Sequence, residues 1–389
     1  MKILFVTAVP LQYSSSANMR NMALIKGLKE LGHTVDSLSS EADSSNPIYD
    51  ESLTEKYIDD RIEIRLGALH SSIGKTRENS LKSRLKIFLY RMMNRYSVYD
   101  LRRSLVRRID QLGYLGHYDL IISSSDPKSS HLLAEALREK NIVKADRWIQ
   151  YWGDPFTGDI NNQSGVPEFI VAREEKRILS KADKAVFVSP FTLKMQQEKY
   201  PEMADSFEFC KIPIIEKIFF EDHENKVFTL GYFGDYFKKD RDLTPLMEAV
   251  NRSSEDMKLL VYGRSDLNAV SSERIEIHGR EKGSVIKKTE GGADLLVCVL
   301  NRRGTQIPGK IYHYAATNKA ILVLIDGERE EDRQLMREYF VNFQRFYICD
   351  NDADEILKML RQIKQEKGLV TFEPLEELEG IRIAEEFIR

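Results

Sequence analysis

ADLLVCVLNRRGTQIPGKIYHYAATNKAILVL, residues 293–324, is the stretch on which the fold turns. It divides into a buried strand over Leu295–Leu300, a polar loop rich in Arg, Gly and Pro, a short helix, and a second buried strand over Ala320–Leu324. Apolar runs of this length bounded by turn residues suit parallel strands covered on both faces. The loop therefore lies at the carboxyl end of a strand and the amino end of a helix. Open α/β sheets bind anionic ligands at that place, because free backbone N–H groups and the helix dipole point outward. Lys310 stands in the loop beside Gly309. On position alone, an ordinary surface lysine on a strand-loop-helix unit explains it equally well.

The same alternation runs outward in both directions. Upstream, from Val227, come VFTLGYFGDY, a helix from about Leu243 to Ser253, KLLVYG and ERIEIHG. The first half opens with a strand over Ile3–Val9, a polar loop over Pro10–Ala17, and a helix over Asn18–Leu31 with Met22, Leu24, Ile25, Leu28 and Leu31 on its apolar side. Gly32 ends that helix and Thr34–Leu38 returns as a strand, so a right-handed βαβ unit and a parallel sheet follow. Further strands are read at Tyr118–Ser123, Trp148–Tyr151 and Lys184–Val188, each ending in small or polar residues. Between the halves, Ile212–Asn225 thins into a connector. The expected fold class is α/β, with two doubly wound Rossmann-like domains facing across a cleft: residues 1–215 and residues 226–370. Over 371–389, Leu375, Leu378, Ile381 and Phe387 are spaced as an amphipathic helix that could cross back to the first domain.

Composition narrows the function. A chain of 389 residues with 42% hydrophobic and 31% charged residues is an ordinary globular protein too long for one core. Cys210, Cys298 and Cys349 form no CxxC pair, and read as buried thiols of a reducing compartment. Met1 leads directly into a strand and no apolar run approaches the roughly 20 residues that span a bilayer, which points to a cytoplasmic protein. Ser14, Ser15 and Ser16 stand where a dinucleotide fold places glycines, and the missing GxGxxG weighs against an oxidoreductase. The net charge of −3 conceals a window, residues 75–108, in which eleven Lys or Arg meet only Glu78 and Asp100. Within it Leu81, Leu85, Phe88, Leu89, Met92, Tyr96 and Tyr99 recur at helical spacing. This basic amphipathic segment packs on its own domain, or meets an anionic membrane surface or lipid-linked phosphate. Nucleic acid is not expected, since no binding module accompanies the charge.

The chain resembles GT-B glycosyltransferases, in particular the retaining enzymes of glycosyltransferase family 4. KILFVTAVP and LKELGHTVD are similar to that family's first βαβ unit, and WIQYWGDPF to its aromatic strand followed by Asp. GYFGDYFKKDRDLTPLMEAV resembles the first strand and helix of the donor-binding domain, and IPGKIYHYAATNKAILVL the signature helix. Many members carry two glutamates separated by seven residues, and the second holds the nucleotide ribose. Those places fall here on Thr305 and His313, while Asn318 and Ala320 replace the usual Gly and Pro.

The resemblance implies transfer of a hexose from a nucleotide-sugar donor to a glycan or lipid-linked acceptor, with retention, in surface polysaccharide assembly. It implies no cofactor and no metal, because fixed cations can meet the charge that builds on the leaving diphosphate. Donor binding would fall to Ser16, Lys239, Arg241, Arg303, Thr305, Lys310 and His313, with Arg302 an alternative to its neighbour. Asp126, His131 and Asp154 follow first-domain strands and are the candidate catalytic groups. Ser15 and Arg20 lie at or just after the end of the first strand, and Asp154 between Gly153 and Pro155 is equally a turn residue. The competing readings are a sugar-nucleotide epimerase of the same architecture and a non-catalytic scaffold or partner subunit. Peripheral contact with the inner face of a membrane through residues 75–108 would suit a lipid-linked acceptor.

Overall fold

A computed structural model of the protein describes residues 1–66, 81–160, 164–221 and 225–389. The chain divides into two compact units, Met1–Ile215 with Glu377–Arg389, and Glu216–Glu376.

The first unit is built on β1 (Lys2–Val6), α1 (Ser16–Glu30), β2 (Thr34–Ser40), α2 (Ser52–Glu55), β3 (Arg61–Ile64), α3 (Leu81–Arg95), β4 (Gly116–Ser124), α4 (Ser129–Glu139), β5 (Val143–Trp152), α5 (Glu168–Leu179), β6 (Lys184–Phe187), α6 (Pro190–Lys199) and β7 (Phe207–Phe209). The seven strands run parallel in the order β3-β2-β1-β4-β5-β6-β7. Local chemistry sets the first crossover. Ser15 takes an extended backbone and its hydroxyl accepts from the Asn18 N–H at 3.3 Å, which caps α1. Met22, Leu24, Ile25 and Leu28 are buried, as are Ala23 and Gly27, so the helix is covered on more than one side, and Gly32, at φ +82°, turns the chain back into β2.

The second unit repeats the scheme with β8 (Phe228–Phe233), α7 (Thr244–Arg252), β9 (Met257–Tyr262), β10 (Ile275–His278), α8 (Gly283–Gly292), β11 (Leu295–Val299), α9 (Lys310–Ala315), β12 (Ala320–Ile325), α10 (Glu330–Val341), β13 (Tyr347–Asp350) and α11 (Ala353–Glu366). Its six parallel strands are ordered β10-β9-β8-β11-β12-β13. Every residue of β11 is buried, as a strand covered on both faces requires. In each sheet the chain leaves its first strand toward one side and later continues on the other. The two switch points lie between β1 and β4 and between β8 and β11.

The last helix, α12 (Gly380–Ile388), belongs to the first unit and packs on α1. Its buried face is Gly380, Ile383, Ala384 and Phe387, whereas the expected stripe ran through the half-exposed Ile381. Phe387 meets Tyr151 edge-on, with ring centroids 5.0 Å apart. Two glycines let the helices touch: a Cβ on Gly27 would lie 1.9 Å from the Gly380 carbonyl oxygen.

The basic window divides differently from its spacing. Residues 75–80 and the side chain of Leu81 lie outside the described residues. The apolar stripe ends at Tyr96, because Tyr99 leaves it to become buried, its hydroxyl donating to Glu174 at 2.9 Å. Beyond it Leu101–Arg107 and Ile109–Leu112 form 3₁₀ turns anchored by buried Leu105 and Ile109. Among the described residues, no helix is long and apolar enough to cross a membrane.

The α1–α12 contact has a direct test. Gly27→Ala should lower stability by about 1–3 kcal/mol, the usual cost of forcing atoms into a filled contact. Gly283→Ala, whose Cβ would meet nothing within 4 Å, should leave the thermal midpoint nearly unchanged. Thermal denaturation followed by circular dichroism reads both.

Candidate functional site

The carboxyl end of the first sheet gathers an acid cluster around one cation. β4 ends at Ser124, and the loop that follows carries Asp126 between two cis peptide bonds, then Pro127 and Lys128. β5 ends at Trp152 and is followed by Gly153 and Asp154. The Lys128 ammonium donates to Asp126 at 2.9 Å and to Asp159 at 2.7 Å. Lys128 and Asp159 are largely enclosed, while the Asp126 side chain keeps 38% of its surface open. Asp154 is likewise half-exposed.

These environments push the two carboxyls apart. Burial works against ionisation of Asp126, yet the Lys128 charge and a hydrogen bond from Asp154 prevail and hold it below its ordinary value. Asp154 moves the other way, up to about 7, through burial and the adjacent charges of Asp126 and Asp159. The pair thus holds one ionised carboxylate and one carboxyl that keeps its proton near neutrality. Such a pair can take and return a proton.

Arg20 braces this end from α1. Its guanidinium donates to the Ser125 carbonyl and to the Ser124 hydroxyl at 3.3 Å, and lies 4.7 Å from the Tyr151 ring centroid. Gly153 makes room for it, since a Cβ there would fall 2.2 Å from the Arg20 Nη1. Ser15 caps α1, and Ser16, the expected donor contact, is the exposed first residue of that helix. It belongs to the first unit, whereas the other donor-binding candidates belong to the second.

His131 requires a correction. It is fully enclosed on α4, with its ring 4.3 Å from that of Trp152. Trp148 Nε1 donates to the Ser123 Oγ at 2.8 Å, which leaves the hydroxyl hydrogen for His131 Nδ1 at 2.7 Å. Burial lowers the imidazole to about 3, so it stays neutral. A group without an exposed edge does not exchange protons with a ligand; His131 positions the β4–α4 turn. Lys128 and Asp159 escaped the sequence reading, and the only signal was a lysine two residues past Asp126.

The second switch point is basic. Arg241 bridges the loops after β8 and β11: its Nε donates to Asn301 Oδ1 at 2.8 Å and its Nη1 to the Asp235 carbonyl at 3.3 Å. Asn301 is fixed by its own bond to the Gln306 carbonyl at 2.8 Å. Across the same loops the Arg302 N–H donates to the Asp240 carbonyl at 2.7 Å, and Arg303 reaches the Asp240 carboxylate at 3.0 Å. Lys239, 64% exposed and 3.9 Å from the same carboxylate, is the loosest of the expected donor contacts. Lys310 and His313 meet on one buried acid, Glu290 of α8, at 3.4 and 3.0 Å. Burial opposes the Glu290 charge, but the His313 hydrogen bond and the Lys310 charge keep its carboxyl below the usual value. Glu290 is 2% exposed, whereas the side chains of Arg302, Arg303, Lys310 and His313 are 40–45% exposed and open to a ligand. Thr305 lies half-buried in the loop between β11 and α9.

Two expectations change here. Helix α9 is only six residues long, so side-chain cations, not a helix dipole, supply the positive charge. Glu290 carries no signal of this role in the sequence, because it sits on the helix before β11 and not in a loop after a strand or in the signature helix. At the opposite, amino end of β4 and β5, His117, Asp119 and Asp146 approach one another on the surface. His117 and Asp146 form an exposed ion pair there, remote from the switch point.

No family model matches the chain. No curated protein matches it in sequence. Solved structures do match in fold. A glycosyltransferase from Rickettsia africae ESF-5 has a TM-score of 0.57 at 15% identity, over 99% of this chain and 92% of its own. The lipopolysaccharide outer core galactosyltransferase WaaB, in apo form, gives 0.55 at 11% identity over 100% and 98%. HepE from Anabaena, in complex with UDP-glucose, gives 0.55 at 10% identity over 99% and 94%.

The chain has the GT-B fold. Within that fold, its acid cluster lies at the switch point of the first Rossmann-like domain and its basic cluster at that of the second.

The carboxyl pair can be tested without a ligand. Asp126→Asn removes the like charge beside Asp154, so the Asp154 pKa should fall toward the ordinary carboxylate value. Carbon-detected NMR titration of the side-chain carboxyls reads the shift.

Proposed function

We propose that the protein transfers a hexose from a nucleotide-sugar donor to a glycan or lipid-linked acceptor, with retention, in surface polysaccharide assembly. The supporting observation is the convergence of Arg241, Arg303, Lys310 and His313 at the switch point of the second domain, each with polar atoms fixed by neighbouring acids or amides. A nucleotide diphosphate is an anion, and breaking its bond to the sugar builds negative charge on the leaving oxygens. Pre-placed guanidinium and ammonium groups stabilise that charge without reorganising. Arg241 and Lys310 take the diphosphate in this reading. His313, held by Glu290, offers the ribose its hydrogen-bonding edge in place of the glutamate of family 4. HepE was solved with UDP-glucose, which makes a UDP-hexose the first donor to try.

The first domain takes the acceptor. The acceptor hydroxyl attacks the anomeric carbon from the face that the diphosphate leaves, which keeps the configuration; ionised Asp154 receives the hydroxyl proton, and Asp126 with Lys128 sets the affinity of Asp154 for it. A base must be unprotonated to act, so the rate should rise with pH through about 7 and level off above it.

Release of nucleoside diphosphate from UDP-, GDP- and dTDP-hexoses, with and without glycan acceptors, tests the reading. Lys310→Ala should weaken binding of the free nucleoside diphosphate about tenfold, measured by calorimetry. Asp154→Asn should leave that affinity unchanged, lower turnover about 100-fold and flatten the pH profile. An unchanged pH profile would assign the proton to the leaving diphosphate instead. Free nucleotide and sugar formed without an acceptor would favour an epimerase. Absence of both turnover and nucleotide-induced thermal shift in a folded protein would favour a scaffold.

A further inference from the structure

Helix α3 is anomalous among the described elements of the first unit. Leu85, Phe88, Leu89, Met92, Met93 and Tyr96 are all 38–62% exposed, on a helix where Ile87 alone of the described side chains is half-buried. Soluble proteins scatter exposed apolar residues singly; a contiguous set marks a surface that something covers. Leu85, Phe88, Leu89, Met92 and Tyr96 follow the three- and four-residue steps that place side chains on one helical face. Arg91 and Arg95, both exposed, border that face on one side.

The helix is tethered at its carboxyl end. The Gly165 N–H donates to the Arg95 carbonyl at 2.6 Å, and a Cβ on Gly165 would lie 3.3 Å from the Tyr96 ring. Four residues after Gly165, Phe169 at the start of α5 is 74% exposed, so a second element adds an unburied aromatic ring.

We infer that α3 docks on an anionic lipid surface, its apolar face entering the boundary between headgroups and acyl chains and its arginines meeting lipid phosphates. Charge selects this occupant. Lys82, Arg84, Lys86, Arg91 and Arg95 give the α3 sequence five basic residues and no acidic one. Pairing of two copies through this face would bring like charges together around the apolar stripe. A bilayer carrying anionic headgroups satisfies both features at once, and apolar insertion combined with basic charge gives the two signals that stable peripheral binding requires. The inference does not rest on the reading of the two switch points.

Co-flotation of the full chain with vesicles tests it, comparing phosphatidylcholine alone with phosphatidylcholine containing phosphatidylglycerol. The protein should float with the anionic vesicles and remain in solution with the neutral ones, and added salt should release it. Phe88→Ser with Leu89→Ser, and separately Arg91→Glu with Arg95→Glu, should each reduce flotation at least tenfold. Both variants alter exposed side chains, so their thermal midpoints should match the parent. Absence of flotation at low salt would overturn the inference, as would flotation unaffected by either pair. A dimer in light scattering that these substitutions convert to a monomer would overturn it as well, assigning the face to a second copy.

Discussion

Parallel strand pairing is the constraint on which the rest of this molecule depends. A sheet with all its strands parallel needs a crossover after each one, and the crossovers cover both faces with helices. Side chains such as those of β11 and β12 then have nowhere to meet a ligand, and chemistry is driven to the loops beyond the carboxyl ends. Where the strand order reverses, neighbouring loops leave in opposite directions and the end of the sheet opens. The topology thereby places Asp126 and Asp154 in one domain, and Arg241 and Lys310 in the other, before any specific contact is considered.

The two switch points use opposite electrostatics. In the first domain carboxyls outnumber cations: Asp126, Asp154 and Asp159 surround Lys128, and burial together with this crowding raises the affinity of Asp154 for its proton. In the second, cations gather and acids act as props, with Glu290 buried beneath Lys310 and His313, and Asp240 tying one loop to the other. Breaking a buried ion pair leaves an uncompensated charge and is far costlier than losing a surface one. Glu290 therefore belongs to the architecture of the site as much as the groups it orients.

Much of the fold was legible because hydrophobic periodicity encodes it. The uninterrupted apolar runs of β1, β11 and β12 have few other readings, and the helix after β1 carries its apolar residues and its terminating glycine in plain sequence, though its cap at Ser15 falls within the stretch that reads as a polar loop. Residues at the carboxyl ends of strands were legible for the same reason, since topology and not chemistry nominates them. The partners were not. Glu290 comes from the helix before the strand and Lys128 from a loop whose path no periodicity encodes. Burial that turns His131 from a proton carrier into a neutral brace depends on Trp148 and Trp152, which lie far away along the chain. The basic window misled at Tyr99 because helical spacing continues there in sequence after the helix itself has ended.

The central claim is that the second switch point receives a nucleotide diphosphate. A crystal structure of the chain grown with a UDP-hexose tests it most directly. The account requires density for the diphosphate within hydrogen-bonding distance of the Arg241 and Lys310 side chains, with the ribose beside His313. Diphosphate density bound elsewhere, with Arg241 still held by Asn301 and Lys310 by Glu290 and neither touching the ligand, would contradict it.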